Sequence, residues 1–96
     1  FCTLQYMQEI QLVECPRDAM QGWERPITTA EKVGYLNALL RVGFHTLDFG
    51  SFVSPKAIPQ MADTAAVLGQ LDWKESRTRL LAIVANPRGA VEAAAH

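Results

Sequence analysis

Apolar positions along the 96-residue chain change period several times, and each change marks an element. Residues 9–15, EIQLVEC, form a short apolar-rich run stopped by Pro16, which suits a buried strand ending where proline removes a backbone donor. PRDAMQ and then a loop containing Gly22 and Pro26 follow. Thr28-Thr29-Ala30-Glu31 fits a capping box, in which the threonine oxygen accepts from an early helical N–H and the glutamate reaches back to the cap. Val33, Leu36, Leu39 and Leu40 recur at helical spacing, and Gly43 stands where a left-handed C-cap closes the helix. The stripe predicts a core-facing helix.

Beyond it, FHTLDFGSF (44–52) reads as a second strand, because its aromatic and branched residues favour a pleated surface and glycine interrupts it. Pro55 and Pro59 break the chain. Residues 60–70, with Met61, Ala65 and Leu68 on one stripe, predict a second helix. RLLAIVA (79–85) is a continuous apolar run of the kind expected for a parallel strand covered on both faces, and RGAVEAAAH begins a third helix after Asn86-Pro87. Alternating strands and helices at this interval predict an α/β fold with parallel strands in order 1-2-3. Both a doubly wound sheet and a (β/α)₈ barrel accommodate that order. No phosphate-cradling glycine fingerprint follows the first strand, which disfavours a dinucleotide or P-loop fold.

Composition narrows the function classes. A net charge of −1 with dispersed Lys and Arg gives no footprint for nucleic acid or an anionic membrane. No apolar run reaches the roughly 20 residues that span a bilayer, and residues 1–10 have neither a secretory nor an organellar leader pattern, so a cytoplasmic location is expected. Cys2 and Cys15 lack disulfide-framework or metal spacing and are expected to be reduced, with Cys15 a small buried thiol. Residues 1–8 read as an extension outside the core of a single 1–96 unit.

Side chains with chemistry collect at the strand ends: Arg17 and Asp18 after the first, Asp48 and Ser51 on the second, Asn86 after the third. In parallel α/β folds that edge is where ligands bind. Each has a plainer role open to it. Arg17 and Asp18 can form a surface ion pair, Asp48 and Ser51 can cap a turn, and Asn86 before Pro87 can simply start a helix. His45, between a helix stop and a strand, reads as structural.

PRDAMQ (16–21), LDFGSFVSPKAIPQMAD (47–63) and ANPRGAVEAA (85–94) together resemble the N-terminal part of hydroxymethylglutaryl-CoA lyase. The resemblance runs from about Ile10 to the last residue. It implies the first three βα units of a (β/α)₈ barrel that, complete, needs about 250 residues. It also implies cleavage of 3-hydroxy-3-methylglutaryl-CoA to acetyl-CoA and acetoacetate, a reaction of leucine degradation and ketone body formation, with this chain a fragment expected to be inactive alone.

By the same resemblance Arg17 is catalytic, meeting charge on the thioester carbonyl oxygen, and Asp18 is a ligand of Mg²⁺ or Mn²⁺. Gln21, Arg25, Asp48, Ser51 and Asn86 fall at substrate-binding positions. The family's other metal ligands, a His-x-His pair and an asparagine, and its cysteine proton donor lie on later strands. The implied partners are an acyl-CoA substrate and further copies in a homo-oligomer, with no nucleic acid or membrane.

The sequence departs from the family pattern in three places. Glu14-Cys15-Pro16 brings the acid one place closer than Glu-x-Gly-Pro and replaces the glycine. Glu24-Arg25 stands where a lysine often meets the CoA moiety, which leaves Arg25 as the cation for its phosphates. Asp48 replaces a glutamate. Two other readings stay open: a noncatalytic α/β piece that self-associates or binds a partner through open strand edges, and an isopropylmalate-synthase-like condensing enzyme.

Overall fold

A computed structural model describes residues 9–96, so the proposed extension at 1–8 lies outside the described residues. Three parallel strands, β1 (Val13–Glu14), β2 (Thr46–Phe52) and β3 (Arg79–Val84), lie in sequence order with β2 central. The α/β class and the parallel 1-2-3 order are therefore as expected. β1 is much shorter than the apolar run 9–15. Ile10 and Leu12 stay exposed, and only Val13 and Glu14 join the ladder, opposite Thr46 and Leu47. A one-residue irregularity between Asp48 and Gly50 interrupts the pairing of β2 with β3.

Helix α1 (Pro16–Gln21) occupies a segment with no helical stripe to predict it. Pro16 sits in its first turn, where a missing N–H costs nothing and the fixed φ favours the helix. Cys15, at its N-cap, faces solvent rather than the core, because the chain turns outward where β1 ends. Helix α2 (Thr29–Val42) keeps the predicted caps: Thr28 and Glu31 form both bonds of the box, and Gly43 closes the end at φ 93°. The predicted 60–70 helix is divided into a 3₁₀ turn, Pro59–Met61, and α3 (Thr64–Gln70). A second 3₁₀ turn (Trp73–Glu75) precedes β3, and α4 (Pro87–Ala94) follows it.

The helices cover one face of the sheet. Leu36 and Leu40 from α2, Leu47, Phe49 and Phe52 from β2, and Met61, Val67 and Leu71 form the core, joined by Met20 of α1. Burying side chains such as Leu36 and Leu47 completely contributes about 1.5–3 kcal/mol each. Gly89 is required where α4 meets the sheet, since a Cβ there would fall on the Phe52 carbonyl oxygen. On β3, Leu80 and Ala82 pack against the core while Leu81 and Ile83 remain exposed. The apolar run at 79–85 is thus a strand covered on one face, not on both, because no described element lies over the other.

Candidate functional site

Arg17 lies in the first turn of α1, over the middle of β2. Its Nε donates to both carboxylate oxygens of Asp48, at 3.2 and 3.1 Å, and its Nη2 donates to Oδ2 at 2.8 Å. Nη1 donates to Gln21 Oε1, one turn further along α1, at 3.3 Å. The Asp48 side chain is 4% exposed and the Arg17 side chain 15%. This two-pronged arrangement is the strong form of arginine–carboxylate pairing, giving direction as well as charge. The Asp48 hydrogen bond raises the Arg17 pKa against the opposing effect of burial, so the guanidinium stays charged.

Arg17 also pairs with its neighbour Asp18, as the plainer reading expects, but more loosely than with Asp48. Asp18 Oδ1 stands 3.7 Å from Nη1 and its side chain is 81% exposed, a loosely paired carboxylate open to solvent beside a fixed cation. Arg17 has five N–H groups, and these bonds leave a hydrogen on each of Nη1 and Nη2. Arg17, Asp18, Gln21 and Asp48 are therefore one cluster.

The other residues singled out from the sequence stand differently. Ser51, three positions beyond Asp48, is 1% exposed; its amide donates to Thr64 Oγ1, and its Oγ has no partner among the described residues. Asn86 caps α4, its Oδ1 accepting from the Gly89 amide at 2.9 Å, so here the helix-start role is realised. It lines a cleft of about 530 Å³ at the end of β2 with Lys56 and Arg88. Arg25 is exposed and paired with Glu31 at 3.0 Å, outside the Arg17 cluster. Glu14 turns back to accept from the Cys15 amide, and His45 Nδ1 lies 2.8 Å from Thr46 Oγ1.

Sequence reasoning missed a second polar centre. Lys32 is buried on α2, with Nζ donating to Asp63 and to the Gln60 carbonyl, while Thr29 Oγ1 donates to Asp63 at 2.6 Å. Burial pushes the Asp63 carboxyl up, but the bonds from Lys32 and Thr29 and the lysine charge hold it below its ordinary value. A lysine inside an amphipathic stripe was the available signal. Its partner is 31 residues away, beyond any local pattern.

Three parallel strands in sequence order also occur in half of a doubly wound sheet, so topology alone leaves two folds open. Solved structures decide between them: the chain is part of a (β/α)₈ barrel, with charged side chains where such barrels hold ligands. Hydroxymethylglutaryl-CoA lyase from Bacillus subtilis superposes with a TM-score of 0.84 at 32% identity, covering 93% of this chain and 30% of its own.

The lyase from Acinetobacter baumannii, solved in complex with coenzyme A and 3-methylmalate, gives 0.81 at 32% identity, covering 86% and 27%. The curated Pseudomonas mevalonii hydroxymethylglutaryl-CoA lyase is 36% identical over 84 residues, 86% of this chain and 28% of that protein. No protein-family model matches. In sequence and in fold the chain belongs with the hydroxymethylglutaryl-CoA lyases, of whose length it spans under a third.

Proposed function

We propose that this chain supplies the Arg17 face of a barrel enzyme that cleaves 3-hydroxy-3-methylglutaryl-CoA to acetyl-CoA and acetoacetate. The observation that carries the reading is the buried Asp48 fork, which holds Arg17 with unused N–H groups beside the exposed Asp18. Removing the hydroxyl proton lets the bond between the carbinol carbon and the CoA-linked methylene break. The carbinol carbon becomes the ketone of acetoacetate, and the electron pair of that bond passes into a thioester enolate. The enolate carbon then takes a proton to give acetyl-CoA. Arg17 donates to the enolate oxygen, where negative charge develops in the transition state. Asp48 and Gln21 fix its direction.

Asp18 presents the hard oxygen donor that Mg²⁺ or Mn²⁺ prefers, and its exposure leaves that oxygen open to a metal. No group of three or more His, Cys, Asp or Glu able to hold a metal occurs among the described residues; in the family pattern Asp18 would be one ligand beside a His-x-His pair and an asparagine of later strands. When bound, the ion polarises the substrate hydroxyl.

Ser51 and Asn86 line the acyl-CoA path, and Arg25 is the cation for the CoA phosphates. The chain is one part of a single catalytic barrel domain, in a homo-oligomeric cytoplasmic enzyme. No described helix is long and apolar enough to cross a membrane. In a lyase carrying this sequence, Arg17→Gln lowers kcat about 10²- to 10³-fold with little change in KM, as for loss of an oxyanion donor. Asp18→Asn raises the metal concentration needed for activity. Near-normal kcat in the first, or unchanged metal affinity in the second, would overturn the role assigned to that residue.

A further inference from the structure

The loop after α1, residues 22–28, lies across from the turn that precedes α3. Within the loop Trp23 N–H bonds to the Met20 carbonyl and the Thr28 amide to Glu31, and between these ends the backbone bonds to one side chain. Gln60 Oε1 accepts from the Ile27 amide at 2.8 Å, while Nε2 donates to the carbonyls of Arg25 at 2.9 Å and Trp23 at 3.3 Å. The backbone of Gln60 is fixed in turn, because buried Lys32 donates to its carbonyl and to Asp63. α1 also packs against the Pro59–Met61 turn. Both sides of a cleft of about 590 Å³, lined by Gln21, Trp23 and Ile27 on one side and Gln60 and Asp63 on the other, are joined through this amide.

The geometry points to Gln60 as a positioning residue. It sets the path of loop 22–28, and with it the placement of Arg25 and of the C-terminal turn of α1 that ends in Gln21. This rests on the acyl-CoA reading only for its consequence: Gln60 governs how the loop meets the CoA portion of the substrate, not the bond that breaks. A carboxamide suits the task because it offers an acceptor to one amide and donors to two carbonyls at once.

Hydrogen exchange on the 96-residue chain tests the placement without any activity. Gln60→Met keeps the bulk and loses the three bonds, so the Ile27 amide exchanges at least about tenfold faster while β2 amides keep their protection. Gln60→Glu retains the acceptor and restores protection at Ile27 relative to Gln60→Met. Unchanged exchange at Ile27 in Gln60→Met, or acceleration of loop and β2 amides by the same factor, would overturn the proposal. In a lyase carrying this sequence, Gln60→Met raises KM for the acyl-CoA about tenfold, with a much smaller change in kcat. A loss confined to kcat would refute the assignment even with the loop loosened. An inactive parent enzyme refutes the lyase reading and leaves the exchange result to decide on Gln60.

Discussion

Replacing Asp48 with alanine strips the Arg17 guanidinium of its principal partner while leaving it between α1 and β2. Hydrogen bonds to charged groups contribute about 1.5–3 kcal/mol each, and breaking a buried pair by removing one member costs about 3–5 kcal/mol. Arg17 keeps some contact with water and a bond to Gln21, which places the cost near the lower figure, about 3 kcal/mol. An exposed pair would give about 0–1 kcal/mol. Arg17→Met together with Asp48→Leu removes both charges and fills the space with apolar groups, so the double variant recovers most of the loss.

A double-mutant cycle on Arg17→Met and Asp48→Leu, read by urea unfolding under far-UV circular dichroism, then returns a coupling of about 2 kcal/mol. Even a complete domain of 96 residues would have only about 5–14 kcal/mol to lose, so the difference is large on the scale of the measurement. A cost below about 0.5 kcal/mol for Asp48→Ala, or a coupling of zero, would show that Asp48 does not anchor Arg17.

Three further outcomes follow from the geometry. The Asp63 carboxyl is held below its unfolded value of 3.8, so the unfolded chain takes up that proton first. The stability this provides is present above about pH 4 and is lost as pH falls through the folded pKa, and acid titrations of stability should show a shallower decline for Asp63→Asn than for the parent. Gly89→Ala, which sets a methyl against the Phe52 carbonyl, should lower stability by about 1–3 kcal/mol, whereas Gly34→Ala on the open face of α2 should raise it by about 0.5–1 kcal/mol; equal effects in chemical denaturation would contradict both. Thr28→Ala, which loses the capping box, should cost about 1 kcal/mol by the same assay.

What was legible in the sequence was local. Helix α2 announced both ends because Thr28, Glu31 and Gly43 bond within one turn of themselves, and β2 and β3 showed as short apolar runs. α1 was hidden because Pro16 looks like a breaker unless it is already known to occupy a first turn, and PRDAMQ has too few apolar residues to show a period. The division of residues 59–70 into a 3₁₀ turn and α3 leaves Asp63 at the head of α3, paired with Lys32 across 31 residues, a contact that no local pattern shows. The cluster was half legible. Arg17, Asp18, Gln21 and Asp48 were all singled out, but that Asp48 joins Asp18 as the arginine's partner, and is the tighter of the two, depends on α1 lying across β2. Ser51 and Asn86 were placed at strand ends correctly, yet their hydrogen bonding follows from the packing of α3 and the capping of α4.

A strand of two residues gives β1 very little ladder, so the segment that delivers Arg17 and Asp18 depends on the Arg17–Asp48 ion pair and the packing of Met20 as well as on backbone bonds. Such a segment opens locally at a lower free energy than β2, making it the weakest cooperative unit of the sheet. Anything negatively charged that competes with Asp48 for the guanidinium would loosen the helix, while a ligand that adds to the fork without displacing it would clamp the helix down. Occupancy of Arg17 is thereby coupled to the order of the chain's first βα unit, and a bound oxyanion would slow the local opening of α1 more than the global unfolding of the sheet.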